Sequence, residues 1–128
     1  MKILTTFTVL FFCISSFNFQ NRKNDLIGKW ACYHKELEDG TTNNTDIFSG
    51  KKFKYSCDGL TIELKSNLTG WESMGELNFK YELKDSILTL GNRLYVVELL
   101  NKKELIIRDY KPDGLSISNF RQKFTKIE

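Results

Sequence analysis

Few side chains in this sequence have the types and spacing that catalysis or metal binding needs. It holds three cysteines and a single histidine. His34 follows Cys32 by two residues, so the two share one face of an extended strand, with no second ligand pair to complete a zinc site. No serine or cysteine stands at a recognisable spacing from that histidine for nucleophilic catalysis. The carboxylates fall on outward strand positions, where nothing would tune them for proton transfer. The expectation is a protein that is not an enzyme and carries neither metal nor cofactor.

Cysteine has a second chemistry. Cys13 lies in an apolar leader, and removing that leader leaves Cys32 and Cys57 as an even pair in an exported chain, which favours a disulfide. Cys32 shares a strand face with Trp30, and Cys57 is in phase with Phe53 and Tyr55 on the next extended segment, Lys52 to Cys57. Two separate buried thiols are the alternative.

The stretch Glu38 to Asp46 is rich in side-chain oxygens but lacks the closing acidic ligand of a calcium loop, so a solvated loop is expected. Asn43-Asn44-Thr45 and Asn67-Leu68-Thr69 are glycosylation acceptors only in a eukaryotic host, and a bacterial host is expected. The formal charge is +3, with Lys and Glu interleaved along the chain. Only Lys51-Lys52-Phe53-Lys54 forms a basic knot, too little for a nucleic-acid footprint.

The elements that must position these residues begin after the leader. Lys2, an apolar run from Ile3 to Ile14 and the small Ser15-Ser16 form the pattern of a secretory signal, too short and threonine-rich for a membrane span. The expected division is a signal peptide over 1–19 and one domain over 20–128, with the cut between Ser15 and Asn24. Cys13 sits where a lipoprotein cysteine would, but Leu10-Phe11-Phe12 puts bulky groups where that peptidase takes small ones. A discarded leader cysteine is therefore expected rather than a lipid anchor, and the chain is expected to be periplasmic or secreted.

From Leu26 onward the periodicity is that of strands. Trp30, Cys32 and His34 alternate with Ala31, Tyr33 and Lys35; Leu60, Ile62 and Leu64 with Thr61, Glu63 and Lys65; Leu77, Phe79, Tyr81 and Leu83 with Asn78, Lys80 and Glu82. A further strand is read over Leu68 to Met74. Turns at Asp58-Gly59, Ser66-Asn67, Asp85-Ser86, Gly91-Asn92 and Lys111-Pro112-Asp113-Gly114 separate the segments. Ile87 to Leu90, Leu94 to Leu100 and Leu105 to Ile107 are strands too. The last strand runs from Leu115 towards Ile127, with a phase shift that predicts a bulge near Ser118-Asn119. No segment has helical periodicity. Short consecutive turns favour a meander, so the fold expected is all-β: one antiparallel up-and-down barrel of about eight strands.

In this arrangement the chain resembles the lipocalin-like superfamily, and most closely the short lipocalin-like domains of exported bacterial proteins. Gly28-Lys29-Trp30 opens the match, and Asp58-Gly59 turns into a strand. Phe79-Lys80-Tyr81-Glu82-Leu83 passes through Asp85 into Leu88-Thr89-Leu90; Tyr95 to Leu99 and Glu104 to Ile107 close the set. The likeness covers Leu26 to Ile127. It implies that Gly28 and Trp30 are structural, that the indole plugs the closed end, and that an arginine of the last strand, Arg121, packs over its ring. The chain is shorter than full lipocalins, which implies a shallower barrel. Arg108-Asp109-Tyr110 is similar to the family's Thr-Asp-Tyr loop but stands one hairpin too late, so that role is not carried over.

A barrel of this size either fills with side chains or holds one small ligand. The candidate lining is Ile62, Leu64, Phe79, Tyr81, Leu83 and Leu90, with Leu60, Leu77 and Leu88, which implies a small hydrophobic ligand. The alternative is a packed core in a secreted interaction or inhibitor module, with Trp71, Tyr110 and the Glu38 to Asp46 loop meeting the partner. Beyond these, no nucleic acid, no membrane contact except through the leader, and a monomer are expected.

Overall fold

Strict alternation of apolar and polar residues decides which way each strand faces, and here it closes the sheet on itself. The computed structural model describes residues 22–111 and 119–128. The expected signal peptide, Cys13, the Pro112 turn and the start of the last strand at Leu115 lie outside the described residues. The strands are β1 (Gly28–Leu37), β2 (Asn43–Thr45), β3 (Lys52–Lys54), β4 (Thr61–Leu64), β5 (Thr69–Glu72), β6 (Leu77–Lys84), β7 (Ile87–Leu90), β8 (Arg93–Leu100), β9 (Glu104–Asp109) and β10 (Phe120–Lys126). Eight of them form a closed antiparallel barrel in the order β1-β10-β9-β8-β7-β6-β5-β4, and β2 and β3 pair as a separate hairpin. The barrel is a meander from β4 to β10, with β1 joined across both edges.

Trp30, Phe124, Leu26, Leu64, Leu88, Leu105 and Ile107 are fully buried and form the centre of the core. Burial of such side chains is worth roughly 1.5–3 kcal/mol each. Gly70 lies on the same face as Leu64 and Phe79. A Cβ there would meet the Phe79 ring at 2.5 Å and the Glu63 carbonyl at 2.8 Å, so the bare backbone is what lets that ring lie flat against β5.

The opening Gly-x-Trp also has a physical cause. Gly28 has φ +144°, and a Cβ on it would meet the Glu128 carbonyl and the Lys126 side chain, both at 2.6 Å. Its lack of a side chain lets the C-terminus close over β1, where Lys29 N–H donates to Glu128 and Ile127 N–H to Lys29. The Trp30 indole N–H donates to the Leu26 carbonyl at 2.9 Å. Leu26 ends a helical turn over residues 22–26, an element the strand periodicity did not reveal because one turn is too short to show a helical period.

The cation over the indole is Lys126, not Arg121: its Nζ lies 5.1 Å from the ring centroid and donates to the Asp25 carbonyl. Antiparallel register is the reason, since β10 places Lys126 opposite Trp30 and Arg121 opposite Glu36, near the other end of β1. There Arg121 joins an outer-wall ion network with Glu98, Glu36 and the Glu38 carbonyl. Arg108 stands directly opposite Arg121, and both bind Glu98, which offsets their mutual repulsion.

Three further expectations change. The Glu38 to Asp46 stretch is not all loop, because β2 within it pairs with β3. The extended piece expected to reach Cys57 ends at Lys54, and that cysteine lies in the following turn region. Leu77 is 58% exposed although its phase is inward, because β6 begins at the barrel rim. The observed register shifts lie between Cys32 and His34 and between Val97 and Leu99; Ser118 of the expected bulge lies outside the described residues.

The barrel mouth as candidate functional site

Partners directly opposite one another on paired strands share a face of the sheet, so the register tells which residues look into the barrel. Near the closed end these positions are apolar apart from Lys126, which lies over the indole: Trp30 faces Ile62, Leu83 faces Leu88, and Leu105 faces Phe124. Towards the other end the same rows become polar. Ile62 stands opposite Glu72, Leu90 opposite Arg93, Tyr95 opposite Asp109, and Gln122 opposite both Ile107 and Lys35. The barrel is thus an apolar vessel with a charged throat.

Tyr95 and Arg93 hold the centre of that throat. Tyr95 is buried one step below the rim, while Arg93 is exposed at the start of β8. Burial raises the Tyr95 pKa above its ordinary value; hydrogen bonding and the charge of Arg93 pull it back, and Asp109 and Glu72 push it up again. The Arg93 guanidinium is held protonated chiefly by its hydrogen bond to Tyr95, and the nearby Glu72 and Asp109 add to this. The Asp109 carboxylate accepts from the Phe120 backbone N–H at 3.0 Å, tying β9 to β10 at the mouth. A cavity of about 430 Å³ opens beside these groups, bordered by Arg93, Tyr95, Asp109, Tyr110 and Lys111. This set can donate through a guanidinium and a phenol and accept through a carboxylate.

The loop after β1 is drawn over the same end. Cys32 and Cys57 form a disulfide with Cα atoms 5.9 Å apart, and both are buried in the core. Such bridges form and persist in oxidising compartments. Tyr55 packs edge-on against Phe120 at 5.0 Å, and the Lys35 ammonium lies 4.4 Å over the Phe120 ring. These contacts brace the mouth from the β1 side.

The expected lining residues divide. Ile62 and Leu64 are buried in the core, and Phe79 and Leu90 pack against it. Tyr81 and Leu83 are also core, and they border a larger hollow of about 1250 Å³ at the closed end, beside Leu26, Ile27 and Leu68. Its other walls include Lys80, Glu82 and Lys84, which alternate outward along β6, so it is a groove beside the wall rather than the barrel interior. Within the core the Tyr81 hydroxyl donates to the Lys65 carbonyl, and burial raises its pKa. Trp71 is half-buried, on the outer face with Glu63 and Asn78, and Tyr110 is exposed at the mouth.

Glu72, Arg93, Asp109, Gln122 and Lys35 were not read from the sequence as site residues. A signal existed for three of them: Arg93 is in phase with Tyr95 and Val97, Asp109 with Leu105 and Ile107, and Gln122 with Phe120 and Phe124. Lys35 carried none, since the bulge after Cys32 reverses its face. No protein-family model, curated protein or solved structure matches this chain.

Proposed function

We propose that this is an exported lipocalin-like binding protein that takes one small ligand at the barrel mouth without turning it over. The observation that carries the reading is the change along the inward rows, from apolar at Ile62, Leu83 and Leu88 to polar at Glu72, Tyr95 and Asp109. Ionisable groups facing a barrel interior cost stability, so a throat lined with them is a functional candidate. The ligand that fits has an apolar part against Leu94 and Tyr110 and a polar end on Arg93, Tyr95 and Asp109, all of which line the mouth cavity. The resemblance in Gly28, Trp30 and the meander supports the lipocalin-like assignment, and the Cys32–Cys57 bridge supports export.

Native mass spectrometry of protein purified from its own host tests this. A bound small molecule is expected, lost or weakened in Arg93→Ala and Tyr95→Phe. Bare protein mass, with no shift on adding a host lipid extract, overturns the reading. A second reading rests on the fully buried centre around Trp30, Leu88 and Leu105: a filled barrel serving as an interaction module through its surface. It predicts bare mass together with a specific protein partner.

A further inference from the structure

The β2–β3 hairpin stands apart from the barrel sheet, and all six of its strand residues are exposed. Its tip carries Ile47 at 88% and Phe48 at 94% exposure, and Phe53 is exposed beside them. The tip is a built turn. Asp46 N–H donates to Lys51, Gly50 N–H to Asp46, and the Asp46 carboxylate accepts from the Phe48 N–H at 2.8 Å. Its base is anchored by the edge-on ring contacts Phe53–Tyr55 and Tyr55–Phe120 and, three residues beyond β3, by the disulfide at Cys57. A large apolar pair is therefore held out into solvent by a braced stalk.

The charge around that pair decides what it fits. Lys51, Lys52 and Lys54 are exposed on the same hairpin. Of the acids nearby, Glu38 pairs with Arg108 at 3.2 Å, Asp46 and Asp39 accept from the Phe48 and Thr41 N–H groups, and Asp58 lies beyond the hairpin next to Cys57, so the lysine run is the basic side of the tip. Two exposed apolar side chains beside three exposed lysines match a bilayer interface with anionic headgroups, where the apolar groups enter the acyl boundary and the ammonium groups stay among phosphates. Exposed Met74 lies at the same end, its sulfur 3.9 Å from the Cβ position of Gly59 in the loop that follows the hairpin. We infer that the Ile47-Phe48 tip with Lys51, Lys52 and Lys54 docks the barrel, mouth end first, on an anionic membrane surface. This contact is separate from any made by the leader, and it does not depend on what the mouth binds.

The test is vesicle co-sedimentation of the protein as isolated from its host, with phosphatidylglycerol/phosphatidylethanolamine vesicles against phosphatidylcholine vesicles. The wild type is compared with Ile47→Ser/Phe48→Ser and with Lys51→Ser/Lys52→Ser/Lys54→Ser. Any affinity supplied by other parts of the chain is common to all three. Expected is binding to the anionic vesicles that falls on the order of 100-fold in the triple lysine variant and weakens with salt. The apolar variant should lose binding at every salt concentration. All the substituted side chains lie outside the core, and an unchanged circular dichroism spectrum and unfolding midpoint confirm folding. Variants that sediment as the wild type does, or equal binding to the two vesicle types, overturn the proposal. So does a soluble protein captured through the tip with no vesicle binding.

Discussion

Reducing the Cys32–Cys57 bridge should destabilise the barrel by an amount set mainly by chain entropy. The two residues are 25 apart in sequence. Closing a loop of that size lowers the entropy of the unfolded chain by an amount equivalent to about 3.5 kcal/mol at 25 °C. Reduction keeps both sulfur atoms in the core, although as thiols they must move apart, so the entropic contribution is the main one. The Cys32→Ala/Cys57→Ala variant removes two buried sulfurs as well, and should lose roughly 1 kcal/mol more through the space left behind. For a domain of this size such a loss corresponds to a fall in Tm of roughly 15–25 °C. The assay is urea unfolding of oxidised and fully reduced protein, with reduction carried out in denaturant because both cysteines are buried, followed by refolding under reductant. Equal midpoints would refute the reasoning, as would two free thiols in the untreated protein. A loss confined to the 55–60 loop, seen by amide exchange without a change in global midpoint, would show that the bridge staples only the mouth.

Trp30→Ala should cost about 3–5 kcal/mol in denaturant unfolding, because the ring is fully buried and its N–H is bonded to Leu26; a loss under about 1 kcal/mol would remove the indole from its role as plug. Lys126→Ala should alter Trp30 fluorescence and Arg121→Ala should not, since only the lysine stands over the ring. On the outer wall, the Arg121 hydrogen bond and charge hold the Glu98 carboxyl below its ordinary pKa, against partial burial. The stabilisation is therefore present above the unfolded pKa and lost as pH falls through the lower folded value. Glu98→Gln should flatten the loss of stability below about pH 5, by no more than about 1 kcal/mol for so exposed a pair; the same acid-side slope in variant and wild type would refute it.

Much of the fold was legible because period-2 alternation is a local property. Ile62, Leu64, Tyr81 and Leu83 are buried as their phase requires, and turn pairs such as Asp58-Gly59 and Gly91-Asn92 mark real reversals. Leu77 shows the limit of phase: it points the right way, but β6 begins at the rim, where depth no longer follows direction. β2 was read as loop because its three residues, Asn43-Asn44-Thr45, carry no apolar stripe to follow; its partner β3 lies within the extended piece expected over Lys52 to Cys57. The Glu38 to Asp46 polarity is real, and backbone pairing needs no hydrophobic signal.

What the sequence by itself determined is the material of the barrel: the strands, the meander, the paired cysteines and the buried indole, each encoded by neighbours a few residues apart. Which residues meet across the closed sheet was decided only by tertiary register. That register put Lys126 rather than Arg121 over Trp30, and it gathered Glu72, Arg93, Tyr95 and Asp109 from three strands into one throat. A one-residue shift in pairing turns every side chain of a strand to the other face, and the bulges at Tyr33 and Glu98 make such shifts within a single strand. Contacts between distant strands therefore depend on offsets that no local stretch of the chain contains.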